Sequence, residues 1–234
     1  MRISIITLFP EMFSGVFDFS ITKRAVSKQL LDIRYIQLRD FASDAYGSVD
    51  DHPYGGGVGM VLRVDVVDKA IRHARASQPT GSTRVILLDP QGHSYTQQKA
   101  RELAKIDHVI LLCGHYEGVD ERVRSLVDEE LSIGDYILTG GEIPAMVVTD
   151  SVTRLIHGVL KPDATTNESF ESSLLEYPQY TRPDSYDGKT VPLELKSGNH
   201  AAIETWKNQK ALQRTKNRRP DLLREKKDSP SHAR

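Results

Sequence analysis

One cysteine in 234 residues, Cys113, excludes an intrachain disulfide and matches the usage of a reducing compartment. Long hydrophobic runs are also missing. The N-terminal stretch MRISIITLFPEMF is apolar for only a few residues before Pro10 and Glu11. That is too short for the core of a signal peptide and far too short to span a membrane, so a soluble cytoplasmic protein is expected. The eight histidines form no H-E-x-x-H and no paired Cys/His spacing, so no metal site is evident. The serine-hydrolase elbow G-x-S-x-G is absent. No G-x-G-x-x-G follows the first apolar run, and GGGVGM lacks the third glycine at the required spacing. DGKT (Asp187–Thr190) ends like a P-loop, but Pro183 stands where its first glycine belongs. Dinucleotide-binding and P-loop readings are therefore weak.

What the chain does have is an ordinary core and an uneven charge. Hydrophobic residues make up 38%, enough for one large domain or two small ones. From Trp206 to Arg234 there are ten Lys or Arg and three Asp or Glu, a balance of +7; with a net charge of −1 overall, the rest carries −8. A basic end on an acidic body suits either a polyanion partner or a solvated helix with a frayed terminus.

Apolar runs at Arg2–Phe9, Asp32–Leu38, Arg84–Asp89 and His108–Cys113 read as buried strands, with SIGDYIL (Ser132–Leu138) as a further strand. Helices are expected within Phe13–Leu31, over Val64–Ser77, around Gln97–Ala104 and Glu121–Glu130, and from about Pro144 to His157. Strands alternating with helices argue for an α/β fold with a mostly parallel sheet covered on both faces, over residues 1–160. KPDATTNESFESS, from Lys161, is polar without a helical stripe and reads as a flexible linker, residues 161–175. Residues 176–234 read as a small, helical, basic domain, with Asn199 capping a helix that carries Ile203, Trp206, Lys210 and Arg214.

Four glycine-bearing loops punctuate the first part: PYGGGVGM (Pro53–Met60), DPQG (Asp89–Gly92), CGHYEG (Cys113–Gly118) and LTGGEIP (Leu138–Pro144). The last three each follow an expected strand. Ligands of open α/β sheets sit beyond the carboxyl ends of the strands, where glycine lets main chain approach closely. With residues 108–113 as a strand, Cys113 is a core or turn residue rather than a nucleophile.

Taken in order, ITLFPEMF (Ile6–Phe13), VDDHPYGGGVGM (Val49–Met60), LDPQG, CGHYEGVDERV (Cys113–Val123), SIGDYILTGGEIPAM (Ser132–Met146), DSVTRLIHGVL (Asp150–Leu160), YPQYTRP (Tyr177–Pro183), SGNHAAIETW (Ser197–Trp206) and RTKNRRPDLL (Arg214–Leu223) span nearly the whole chain. In this series the chain resembles the bacterial tRNA (guanine-N1-)-methyltransferases. The resemblance implies a deeply trefoil-knotted methyltransferase domain, an obligate homodimer with active sites at the subunit interface, and S-adenosylmethionine as cofactor. The implied product is N1-methylguanine immediately 3′ of the anticodon, position 37 of tRNA. The matching cofactor positions are Leu88 and Pro90 in the first loop, Gly114, Tyr116 and Gly118 in the second, and Ile133, Gly134, Tyr136, Leu138, Gly140, Gly141 and Pro144 in the third. Glu117 lies near them in sequence. Magnesium is implied for turnover, although the sequence offers no ligand cluster.

Guanine N1 bears a proton at neutral pH, so methylation there needs a base, and charge building on O6 is eased by a cation. The resemblance supplies an arginine, which maps onto Arg154 in DSVTR, and a linker aspartate. That aspartate falls in a D-S-F pattern where this chain has Glu168-Ser169-Phe170. Glu168 is thus the expected base, with Asp163 the other acidic linker residue nearby. The linker is expected to order only over bound tRNA. The basic domain would grip the anticodon stem-loop through Lys207, Lys210, Arg214, Arg218 and Arg219, with Ser197, Asn199 and His200 at the helix start; Lys226–Arg234 would be a disordered tail. Two alternatives stay open at this point: a knotted methyltransferase acting on another RNA atom, such as a ribose hydroxyl, and an RNA-binding protein without turnover.

Overall fold

A computed structural model describes residues 1–78, 80–162 and 164–223. The second acidic linker residue, Asp163, and the tail from Lys226 lie outside the described residues. The chain forms two compact units, Met1–Lys161 and the part from Pro162 on.

The first unit is built on five parallel strands in the order β2-β1-β6-β5-β7: β1 Arg2–Thr7, β2 Asp32–Gln37, β5 Thr83–Ser94, β6 His108–Cys113 and β7 Glu129–Ser132. A short antiparallel pair, β3 Asp50–Asp51 and β4 Val61–Leu62, flanks the PYGGGVGM loop. The α/β reading with a parallel sheet therefore holds. The central strand β6 is buried along its whole length. Its Val109, Leu111 and Cys113 join one core with Ile3, Ile5, Ile86 and Leu88, while Ile110 and Leu112 join another with Ile6, Val85 and Leu87. Alternate residues of one strand thus serve two cores, which is why it reads as an unbroken apolar run.

Helices α1 Ser20–Ser27, α3 Gln97–Leu103 and α4 Glu142–Thr153 belong with the first core, and α2 Val64–Ala76 covers the second. In α2, Val66, Val67, Ala70, Ile71 and Ala74 are buried at steps of three and four, the stripe that a sheet-facing helix needs.

The helix expected within Phe13–Leu31 is present but short, and three other expectations are corrected. Between Phe13 and Leu31 only Ser20–Ser27 is α-helical; Phe13 enters the core from the end of a 3-10 segment, Pro10–Phe13, Gly15 takes φ +81°, and Phe17 enters from irregular backbone. Glu121–Glu130 is not one helix: a 3-10 segment spans Glu121–Leu126, and Glu129 already belongs to β7. This acidic edge strand is balanced by Lys99 Nζ, 2.9 Å from Glu129, and by Arg124, which pairs with Glu130. SIGDYIL is not a strand, because pairing stops at Ser132 and Gly134 takes φ +153°. DPQG lies inside β5 rather than beyond its end, at a register break between Leu88 and His93 where Pro90 donates no hydrogen bond. Helix α4 starts two residues before Pro144, which still falls in the first turn, where amides have no intrahelical acceptor.

The second unit carries a hairpin, β8 Ser185–Tyr186 with β9 Lys189–Thr190, a short helix α5 Leu193–Lys196, and α6 His200–Arg218. Asn199 caps α6, its Oδ1 accepting from Ala202 N–H at 3.2 Å. Residues 164–174 are turns: Glu168 N–H donates to the Thr165 carbonyl and Phe170 N–H to that of Leu174. No helix of the described residues is long and apolar enough to cross a membrane.

His108, at the start of β6, is fully buried and bonds Ser4 Oγ through Nε2 at 2.8 Å, while its Nδ1 has no partner among the described residues. Burial, reinforced by Arg2 and Arg75, pushes its pKa from 6.5 down to about 4. The neutral ring is the folded form, so this contribution is complete above pH 6.5 and is lost as pH falls towards 4. Urea unfolding should show a loss on the order of 3 kcal/mol across that window in the wild type. The profile of His108→Gln, which keeps a partner for Ser4, should be flatter by that amount.

Candidate active site

The register break in β5, the turn after β6 and the irregular segment between β7 and α4 meet at the carboxyl edge of the sheet. They enclose a cleft of about 270 Å³. All twelve positions assigned to the cofactor by resemblance line it: Leu88 and Pro90; Gly114, Tyr116 and Gly118; and Ile133, Gly134, Tyr136, Leu138, Gly140, Gly141 and Pro144. The PYGGGVGM loop does not line it. That loop ends instead at a clamp on the β6 turn, where Glu117 N–H donates to Met60 O at 3.1 Å and Leu62 N–H to Gly118 O at 3.0 Å.

Main chain packs on main chain here. Gly141 N–H donates to Gly114 O at 2.8 Å. A Cβ on Gly141 would stand 2.5 Å from Cys113 Cα, and one on Gly140 would stand 2.4 Å from Glu142 Oε2 and 2.7 Å from the His115 ring. Both glycines are therefore required by space rather than by dihedral angle. Glu142 itself is buried at the start of α4, where its carboxylate accepts from Thr7 Oγ1 at 2.7 Å and faces the positive end of the helix. Burial, and secondarily the Glu142 charge, push the Cys113 thiol well above its ordinary pKa, so the thiolate is disfavoured and the core reading of this cysteine stands.

The cleft also contains polar groups that sequence reasoning did not single out. Asp89, Gln91, His115, Ser132 and Thr139 line it. The Asp89 carboxylate accepts from Gln91 N–H at 2.8 Å and faces Arg124 at 3.7 Å. Four of the five sit within the glycine loops already quoted and Ser132 ends β7; the missing signal was that these segments meet at one cleft. Among the described residues no group of His, Cys, Asp and Glu is arranged to hold a metal.

Arg154 caps the carboxyl end of α4 in the first unit, its N–H donating to Asp150 O at 3.4 Å. Glu168 is half-buried in the second unit, within the turns after Pro162. On that unit, Ser197 Oγ accepts from Asn199 N–H at 3.1 Å and His200 opens α6. Lys207 lies 4.9 Å from the centre of the Tyr177 ring, and its hydrogen bond with Tyr177 raises its pKa. Arg214 donates to Glu176 O at 3.0 Å, and Arg219 pairs with Asp221 at 2.7 Å. Lys210 and Arg218 form no ion pair among the described residues. Of the five cations expected at phosphates, three thus also brace their own unit.

Because Gly141 packs directly on the Cys113–Gly114 backbone, Gly141→Ala is expected to deform the cleft while sparing the distal sheet. Its melting temperature should fall by several degrees, in line with the 1–3 kcal/mol typical of overpacking. Hydrogen exchange should rise first in residues 113–118.

A family model described as "tRNA (Guanine-1)-methyltransferase TrmD" matches residues 1–225. A protein of Geobacillus kaustophilus named tRNA (guanine-N(1)-)-methyltransferase is 56% identical over 227 residues, covering 96% of this chain and 92% of that protein. Proteins of the same name from Desulforudis audaxviator and Dictyoglomus turgidum are 54% and 52% identical, each covering 95% of this chain and 90% of their own length. With a family match over residues 1–225, relatives above half identity and the matching glycine loops gathered on one cleft, the chain belongs to the TrmD family of tRNA (guanine-1)-methyltransferases.

Proposed function

We propose that this chain methylates N1 of the guanine immediately 3′ of the anticodon, position 37 of tRNA, using S-adenosylmethionine bound in the cleft at the carboxyl edge of the sheet. The observation that carries the reading is the convergence of all twelve cofactor positions on one cleft, in a chain of this family. The residues present fit the cofactor. Gly140 and Gly141 let the segment before α4 lie directly against the β6 turn and so close one wall of the cleft, and Leu88, Pro90, Ile133 and Leu138 offer apolar walls for an adenine ring. Bound there, S-adenosylmethionine supplies an electrophilic methyl group.

The protein's own task is to make guanine N1 nucleophilic. Glu168 accepts the N1 proton, and Arg154 stabilises the negative charge that grows on O6. Glutamate has the carboxylate chemistry of the family's aspartate with one more methylene, a difference that the turns around residue 168 have to absorb. Magnesium finds no fitting ligand cluster among the described residues.

The remaining parts follow the same reading. Residues 1–160 are the methyltransferase domain, knotted where the segment after β7 passes against the β6 turn; the contact of Gly141 with Gly114 supports this. Exposed Ile137, Ile143 and Val147 beside the cleft support a homodimer that shares its active sites. Residues 161–175 link this domain to residues 176–234, where α6 presents Lys210 and Arg218 to tRNA phosphates with the help of Lys207, Arg214 and Arg219. In this reading the linker closes over the extruded guanine.

The test is methyl transfer from labelled S-adenosylmethionine to a tRNA transcript with guanine 3′ of the anticodon, and to the same transcript with adenine there. Label on the first alone, mapped to N1, is expected; equal label on both would overturn the target atom. In the same assay Glu168→Gln should bind cofactor as the wild type does and lose roughly 10²–10⁴-fold in turnover. Near-normal turnover would remove Glu168 as the base.

A further inference from the structure

The turn that follows β6 contains a strained residue in the wall of the cleft. Gly118 N–H donates to His115 O at 3.1 Å, closing a four-residue turn. Of its two central residues only Tyr116 has a positive φ, +60°. That is the pattern of a type II′ turn, whose first central position favours glycine. A tyrosine there needs support from its surroundings.

The support comes from the preceding side chain. No backbone carbonyl of the described residues takes the Tyr116 N–H; it donates to His115 Nδ1 at 3.0 Å. The imidazole is clamped from three directions. Phe9 lies 5.1 Å away, centre to centre, and the Tyr116 ring meets it edge-on at the same distance. On the third side it abuts Gly140, which pairs with His115 through the backbone and whose missing Cβ leaves room for Cδ2 and Nε2. Only a ring with a free lone pair on Nδ1 accepts this bond, so the proton of the neutral imidazole belongs on Nε2.

We propose that His115, as the neutral Nε2–H tautomer, is a positioning residue for the cofactor: its Nδ1 holds the Tyr116 N–H and so fixes the left-handed turn whose Gly114, Tyr116 and Gly118 wall the cleft. The proposal rests on the reading that the cleft takes S-adenosylmethionine. It goes beyond that reading by assigning a function to a side chain that resemblance left without one.

Two substitutions separate positioning from bulk. In His115→Asn the amide oxygen falls where Nδ1 was and does not titrate, whereas in His115→Gln the amide reaches the Nε2 place and leaves the Tyr116 N–H without an acceptor. Titration calorimetry of S-adenosylmethionine on the full chain should show His115→Gln about tenfold weaker, as expected for an amide left unpaired, and His115→Asn recovering most of that loss. Nitrogen-15 spectra of the cofactor-free wild type should show His115 protonated on Nε2 alone. Equal loss in both variants, no loss in His115→Gln, or a proton on Nδ1 would overturn the proposal. If His115→Gln does not fold, the tautomer and the affinity of His115→Asn decide it. Failure of the wild type itself to bind would overturn the cofactor reading, while the tautomer would still report on the hydrogen bond independently.

Discussion

Two stretches of backbone lie against each other at the carboxyl edge of the sheet, and the absence of a side chain between them is the condition for everything built there. Gly141 rests on Cys113 and Gly114, and Gly92 rests on Leu131, where a Cβ would stand 2.5 Å from the main-chain nitrogen. These contacts bring the β5 break, the β6 turn and the segment after β7 within reach of one small molecule. They also set where α4 begins. Its first turn borders the cleft through Pro144, while its far end delivers Arg154. A cleft walled by main chain and a helix that starts at its border are thus consequences of the same close approach.

The sheet that supports this edge is conventional in its packing and unusual at its border. Burial on both faces makes β6 apolar throughout, whereas β7, at the outer edge, carries Glu129 and Glu130. Lys99 and Arg124 answer those charges, and Arg124 also faces Asp89 in the cleft wall. The edge is therefore charged but internally balanced, which guards it against pairing with another strand. The second unit follows a similar economy. Thr215 is buried and receives Leu175 N–H at 2.9 Å, and Arg214 braces Glu176, so α6 fastens the polar segment before it as well as presenting charge.

What could be read from the sequence depended on whether a local pattern decided the structure. The strands β1, β2 and β6, helix α2, and α6 with its Asn199 cap follow from periodicity and capping alone. Glu121–Glu130 misled because Val123 and Leu126 sit in a 3-10 turn that local spacing does not tell from an α-helix, and because Glu129 and Glu130 are drawn into β7 by pairing with β5, more than thirty residues away in the chain. SIGDYIL looked like a strand by composition, but Gly134 adopts a dihedral that ends pairing. The twelve cleft positions came from resemblance rather than from any physical pattern, since glycines in three separate loops carry no signal of their meeting. The places of Asp89, Gln91 and His115 in the cleft wall were invisible for the same reason: only the folded chain decides which loop residues meet there.

Cys113 shows what this burial means for handling the protein. It is the only thiol, it closes the central strand directly beneath the cleft, and it is buried with its ionisation suppressed. A thiol reagent reaches it only when the carboxyl end of β6 opens. The rate at which such a reagent reacts is therefore a clock for local opening beneath the cleft, read from a single natural atom and without any engineered label.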